Sequence, residues 1–229
     1  MQPMHEYSEM FEAHTEMNRR AINFLTTAKM FVDQLPQRVS TCGTEKDVVS
    51  KQLNDQYDAT FEYRFMEALR NHVQHSGSAV HGLSFGGGWS VGAEGRKDRM
   101  TFAPEVLTER RLLEQDSKFK KSVLSECPER VDLLDASRKY LGQLSVVHNF
   151  IRCEIDRCVS NARRIVADAI KRYSEHDSSS VGLTAYAQDE SGVERVAVFL
   201  DWDEVRVKLA KRNREASTLG QWVVSNRRD

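Results

Sequence analysis

Three long stretches of this chain carry apolar residues at three- and four-residue spacings, and this patterning limits its possible folds more than any other feature. Tyr7, Met10, His14, Met17, Ala21, Phe24, Ala28, Phe31 and Leu35 form the first seam. Val49, Leu53, Tyr57, Phe61, Phe65, Leu69 and Val73 form the second, with a strict four-residue repeat. Leu134, Leu141, Leu144, His148, Ile151, Ile155, Cys158, Ala162, Ile165 and Ala169 form the third. A helix striped in this way is stable in water when other helices cover the stripe. The spacing therefore predicts helices over residues 4–35, 45–75 and 129–175, packed side by side. Pro36 is expected to stop the first, because proline has no N–H for the preceding turn. Ser76-Gly77 is expected to end the second.

Between and after these seams the pattern changes. Residues 78–104 hold Val80, Leu83, Phe85, Trp89 and Val91 around Gly86-Gly87-Gly88, then Gly92 and Gly95. This reads as a β-hairpin or flap with Met100-Thr101-Phe102 as its return strand and the glycines at its tip. Residues 105–126 read as a shorter charged helix. Val181 to Gln188 and Val193 to Asp201 alternate like two strands around the turn Asp189-Glu190-Ser191-Gly192. A last helix is expected over 203–219. The predicted fold is mainly α: an elongated antiparallel helical bundle with two small β-hairpin insertions. Residues 1–175 would form the bundle with its flap, and 181–229 an accessory hairpin and helix.

Composition narrows the function. The 33 basic and 34 acidic residues nearly cancel, so no global field draws the chain onto nucleic acid or an anionic membrane. Any RNA contact must come from a local patch. Cys42, Cys127, Cys153 and Cys158 form no CxxC pair, which argues against a zinc ribbon or a thioredoxin-like site. The N-terminus lacks the basic and apolar regions of a secretory signal. No apolar run approaches the roughly 20 residues that span a bilayer. The expectation is a cytoplasmic protein with free thiols, no membrane association, no cofactor and no metal.

The candidate chemistry is concentrated in Arg70-Asn71-His72-Val73-Gln74-His75, in the last two turns of the second helix. Arginine is a fixed cation with several donors, and histidine moves protons near neutral pH. Cleavage of RNA needs a base on the 2′-hydroxyl, a cation for the phosphorane and an acid for the 5′-oxygen. His75 suits the proton-transfer role and Arg70 the charge-stabilising one, with Asn71 orienting the imidazole or holding a phosphate oxygen. Two copies facing each other would make a fuller site. In the purely structural alternative, Arg70 bonds helix-end carbonyls or Glu67, and His75 caps the helix.

Arg70, Asn71 and His75 resemble the motif of the HEPN superfamily, an arginine, a polar residue directly after it and a histidine a few residues on, late in a long helix of a helical bundle. The resemblance rests on six residues, with the helical context of 4–175 around them. The 78–104 and 181–229 segments have no counterpart in the minimal family bundle. It implies a metal-independent endoribonuclease, commonly a homodimer with paired motifs in a cleft, of the kind found in bacterial defence and toxin–antitoxin systems, where an antitoxin or other partner protein is expected.

Other residues are weaker candidates. His72, Gln74 and Trp89 could contact RNA near the motif, Trp89 by stacking. Arg206, Lys208, Lys211 and Arg212 put a basic face on the last helix, extended by Arg214, Arg227 and Arg228; RNA backbone binding is one reading of it, and a solvated face is the commoner one. His72, His75 and His81 lack the further ligands of a metal site; one functional and two solvated histidines are expected. His14 and His148 are expected as buried core residues facing one another. The competing functional readings are a non-catalytic helical interaction module and nucleotide binding without cleavage.

Overall fold

The computed structural model describes residues 4–75, 77–91, 97–177, 179–189 and 192–212. The chain is mainly helical with two small antiparallel sheets. In order, the elements are α1 (Met4–Ser40), α2 (Lys46–Ala59), α3 (Phe61–His75), β1 (Gly82–Val91), β2 (Lys97–Glu109), α4 (Arg110–Leu113) and α5 (Lys121–Glu126). Then come β3 (Arg130–Asp132), α6 (Leu133–Ser174), β4 (Thr184–Asp189), β5 (Gly192–Ala197) and α7 (Asp201–Arg212).

The helix boundaries depart from expectation at two points. Helix α1 continues through Pro36 to Ser40. The lost backbone bond is tolerated because Leu35 and Val39, on either side of the proline, are buried against Val49, Val147 and Ile151. The second seam is split into α2 and α3 at Thr60, whose backbone is extended (φ −135°, ψ 138°). Arg64 stabilises the break. Its Nη1 donates to the carbonyls of Tyr57 (3.1 Å) and Asp58 (2.8 Å), satisfying acceptors at the end of α2. Its Nη2 pairs with Glu126 at 2.6 Å.

Contact order gives the helix directions. Phe24 meets Tyr140 edge-on at 6.1 Å, and Phe31 lies 6.3 Å from His148, so residue numbers rise together along α1 and α6. These two helices run the same way. Val49 of α2 packs with Val147 and Ile151, whereas Tyr63 of α3 packs on Tyr140 at 4.9 Å, so α2 and α3 run opposite to α6. The parallel pair is reached through α2 and α3, which run back along the bundle before the sheet leads into α6. At the centre, the buried Tyr140 donates its hydroxyl to Glu67 (2.6 Å). Burial, and then the Glu67 charge, push its pKa far up.

Strands β1 and β2 pair antiparallel from Gly82↔Leu107 to Val91↔Lys97, and β3 adds to β2 through Leu107↔Asp132. Residues 105–109, expected as helix, are therefore strand, and only the short α4 and α5 follow. Val106 and Thr108 bury alternate side chains, and Thr108 Oγ1 donates to the Ala79 carbonyl at 2.6 Å. Gly86-Gly87-Gly88 sit within β1 opposite Ala103 to Thr101, not at the hairpin tip.

Helix α6 starts under an Asp132 cap, whose side chain accepts from Leu134 N at 2.9 Å. Its buried residues all fall between Leu133 and Ile151, although the 42-residue helix runs on to Ser174. Beyond Ile151, Arg163 ties it to α7 through Asp203 and Glu204. The paired strands β4 and β5 leave Tyr186, Val193 and Val196 exposed. No helix among the described residues is long and apolar enough to cross a membrane.

Candidate functional site at the end of the third helix

Helix α3 buries Tyr63, Phe65, Met66, Ala68, Leu69 and His72, packs Val73 against the core, and turns Asn71, Gln74 and His75 of its last two turns outward. Arg70 is half-buried, and Asn71, Gln74 and His75 are exposed. Arg70 Nη1 donates to Asn71 Oδ1 at 3.1 Å. No carboxylate among the described residues pairs with Arg70, and its Nε is buried without a hydrogen-bond partner. The missing carboxylate distinguishes it from Arg64, Arg110, Arg111 and Arg163, each ion-paired to a glutamate, although Arg64 Nε is likewise buried without a partner. No hydrogen bond or ion pair among the described residues joins His75 to Arg70.

His72 occupies the opposite face and is not the solvated residue expected. Its Nδ1–H donates to Asp116 Oδ2 at 2.7 Å, and its ring packs against Phe119 at 6.0 Å. Asp116 Oδ1 also accepts from Lys118 N at 2.9 Å. With Nδ1 turned to the carboxylate, Nε2 points to the other side of the ring. It faces Gly77, where an added Cβ would lie only 2.8 Å from it.

His81 stands perpendicular to His72 with ring centroids 6.5 Å apart, and holds the reverse tautomer. Its Nδ1 accepts from Glu109 N at 2.9 Å, so Nε2–H donates to the Ser78 carbonyl at 3.0 Å. Burial is the main cause of its lowered pKa, and neighbouring His72 adds to it. Asn18 of α1 completes the support. Its Oδ1 accepts from the backbone N–H groups of Ala79 and Val80 at 2.9 and 3.1 Å, fixing the loop that leaves α3.

The remaining candidates are dispersed. Trp89 is exposed on β1. On α7, Arg206 is bound to Asp203 at 2.5 Å, and Lys208, Lys211 and Arg212 are exposed. Arg214, Arg227 and Arg228 lie outside the described residues. His148 is exposed beside Phe31 instead of buried against His14, and partial desolvation, with Arg152 nearby, lowers its pKa. Cys127 is buried, and burial pushes its thiol up to about 11, out of the reactive range. Among the described residues, no group of three or more His, Cys, Asp or Glu is placed to hold a metal ion.

Two clefts open on the helical body. One of about 330 Å³ lies among α1, α2 and α3, lined by Val32, Pro36, Leu53, Tyr57 and Glu67. The other, of about 280 Å³, lies between α1 and α6, lined by Phe24, Phe31, Leu141, Leu144 and His148. Neither is lined by Arg70, Asn71 or His75.

Sequence reasoning missed the inward role of His72, although the signal was present: Phe65, Leu69 and His72 recur at the spacing of one helix face. Asp116 and Asn18 carry no such signal, because their partners are distant in the chain. Comparisons with protein-family models, with curated proteins and with solved structures returned no match for this chain.

Proposed function

We propose that this chain is a metal-independent endoribonuclease that cleaves RNA at the end of α3, as its resemblance to HEPN proteins implies. The observation that carries the reading is Arg70: a half-buried guanidinium with a neutral amide for company and no carboxylate among the described residues to neutralise it. Such a cation favours an anion, and a phosphodiester is the anion this motif is suited to hold.

In this reading Arg70 stabilises the charge that develops on the phosphoryl oxygens, with Asn71 bracing it. The 2′-oxygen bonds to phosphorus as the P–O5′ bond breaks, leaving a 2′,3′-cyclic phosphate and a 5′-hydroxyl. The exposed His75 transfers the proton at one of these two oxygens, and His75 of a second copy serves the other. The protein would thus act as a homodimer, its helices forming an elongated bundle with the site at one end. Gln74, Trp89 and the basic residues of α7 would meet the RNA backbone or bases. Bacterial defence or a toxin–antitoxin pair is the setting this activity suits.

The test is incubation of the purified protein with end-labelled RNAs in EDTA. Cleavage by the parent, lost in His75→Ala and Arg70→Ala variants that keep the parent's circular dichroism, is the expected result. Undiminished cleavage by His75→Ala would remove the assignment.

A second reading, a non-catalytic interaction module, is favoured by a different observation. Val181, Tyr186, Val196, Trp202 and Leu209 in the C-terminal part are all exposed, side chains that a docked partner would cover. No cleavage across several RNAs would favour it.

A further inference from the structure

We infer that the amino-terminal arm of α1 in one copy seats in the cleft between α1 and α6 of a second copy. This takes the homodimer of the proposed function and gives it an interface; it does not depend on RNA cleavage.

Among the described residues, no other element covers the apolar side of the arm. Tyr7, Met10 and Phe11 are 74%, 51% and 71% exposed. They share one side of α1 with the partly buried His14 and Met17, so the first seam runs on past the body of the molecule. The same stretch is acidic. Residues 4–14 contain Glu6, Glu9 and Glu12 and no lysine or arginine.

The cleft has the complementary character. Its walls are Phe24 and Phe31 from α1 and Leu141 and Leu144 from α6, enclosing about 280 Å³, with Leu141 still 41% exposed. Its surroundings are basic. Arg138 lies one turn before Leu141, Arg152 one turn beyond His148, and Arg38 two turns beyond Phe31. Among the described residues none of the three pairs with a carboxylate; Arg38 binds only the neutral Gln34, at 2.6 Å. An apolar slot bordered by arginines that no described carboxylate pairs with fits an apolar helix of acidic sequence.

The arm cannot fill its own cleft. Met10 and Thr27 lie on one continuous helix, roughly 25 Å apart along its axis at the usual rise per residue. Bringing them together would require breaking α1, so the arm must come from another molecule. Two copies related by a two-fold axis satisfy both needs at once, since each gives an arm and receives one, and the assembly closes. Tyr7 and Phe11 would each bury on the order of 150–250 Å².

The experiment is sedimentation velocity over a concentration series of the full chain. Phe11→Asp spoils the arm and Leu141→Asp spoils the cleft, and both positions are exposed, so circular dichroism and melting should match the parent. The parent is expected to be a dimer, with each variant's dissociation constant raised roughly a hundredfold, as for a central interface residue. An equimolar mixture of the two variants should dimerise more tightly than either alone, because a mixed pair retains one intact arm in one intact cleft. A parent that stays monomeric at the highest concentration would overturn the inference and assign the cleft to another occupant. So would a variant that dimerises as tightly as the parent, or a mixture no tighter than its components. A parent that dimerises in this way but cuts no RNA would leave the interface standing and remove only the ribonuclease reading.

Discussion

His72 Nδ1 lies 2.7 Å from an Asp116 carboxylate oxygen across 44 residues of sequence, with the side chains only 6% and 7% exposed. The bond joins the last turn of α3 to the segment between α4 and α5. Removing the carboxylate leaves a buried N–H without an acceptor and also frees the Lys118 amide. Asp116→Ala is therefore expected to cost about 3 kcal/mol, the scale of breaking a buried polar pair. Urea unfolding measures it, and a loss below about 1 kcal/mol would mean that water replaces the carboxylate easily.

The contact between His72 and Gly77 makes a separate prediction. A methyl at position 77 would sit 2.8 Å from His72 Nε2, and Asp116 prevents the ring from moving aside. Gly77→Ala should destabilise by about 1–3 kcal/mol through overpacking. In a His72→Ala background the same change should cost almost nothing. Additive effects in that double-mutant cycle would show that the clash is relieved some other way.

His81 should make stability sensitive to acid. Its folded-state pKa is depressed below the ordinary 6.5, chiefly by burial. The unfolded chain then takes up a proton at a higher pH than the folded chain does. Stability is full above about 6.5 and falls as the pH drops from there through the folded value. Protonation would also put an N–H of the ring against the Glu109 N–H that Nδ1 now accepts. The melting temperature should fall between pH 7 and pH 5.5, and less steeply in His81→Gln. Parallel curves for the two proteins would locate the acid sensitivity elsewhere.

Arg64 connects three elements, bonding the end of α2 from α3 and pairing with Glu126 of α5. Arg64→Ala should cost about 2 kcal/mol, in the range for hydrogen bonds from a charged donor. Glu126→Gln, which removes only an exposed ion pair, should cost at most about 1 kcal/mol. Equal losses in thermal unfolding would contradict this division.

Much of the helical framework was legible in the sequence, because helix periodicity is local. The three seams correspond to α1, to α2 with α3, and to α6, and the last two strands, β4 and β5, fall within the two alternating segments. Non-local features were not legible. Strand β3 has three residues and exists because Leu107 pairs with Asp132. Residues 105–109 look helical through their charge, and only the alternate burial of Val106 and Thr108 identifies them as strand. The passage of α1 through Pro36 depends on packing by α2 and α6. At the candidate site, the last two turns of α3 were placed by pattern, whereas the Asp116 bond to His72 and the Asn18 clamp come from segments far away in sequence.

Helix α6 passes from the core to solvent without a break in its backbone bonds. Its first half opens only when the core opens, and its second half, tethered at Arg163, can fray independently. Deuterium should therefore enter the amides beyond Ile151 orders of magnitude sooner than those between Leu133 and Val147, within one unbroken helix. One helix would then carry two stabilities, that of the core in its first half and that of a lone solvated helix in its second.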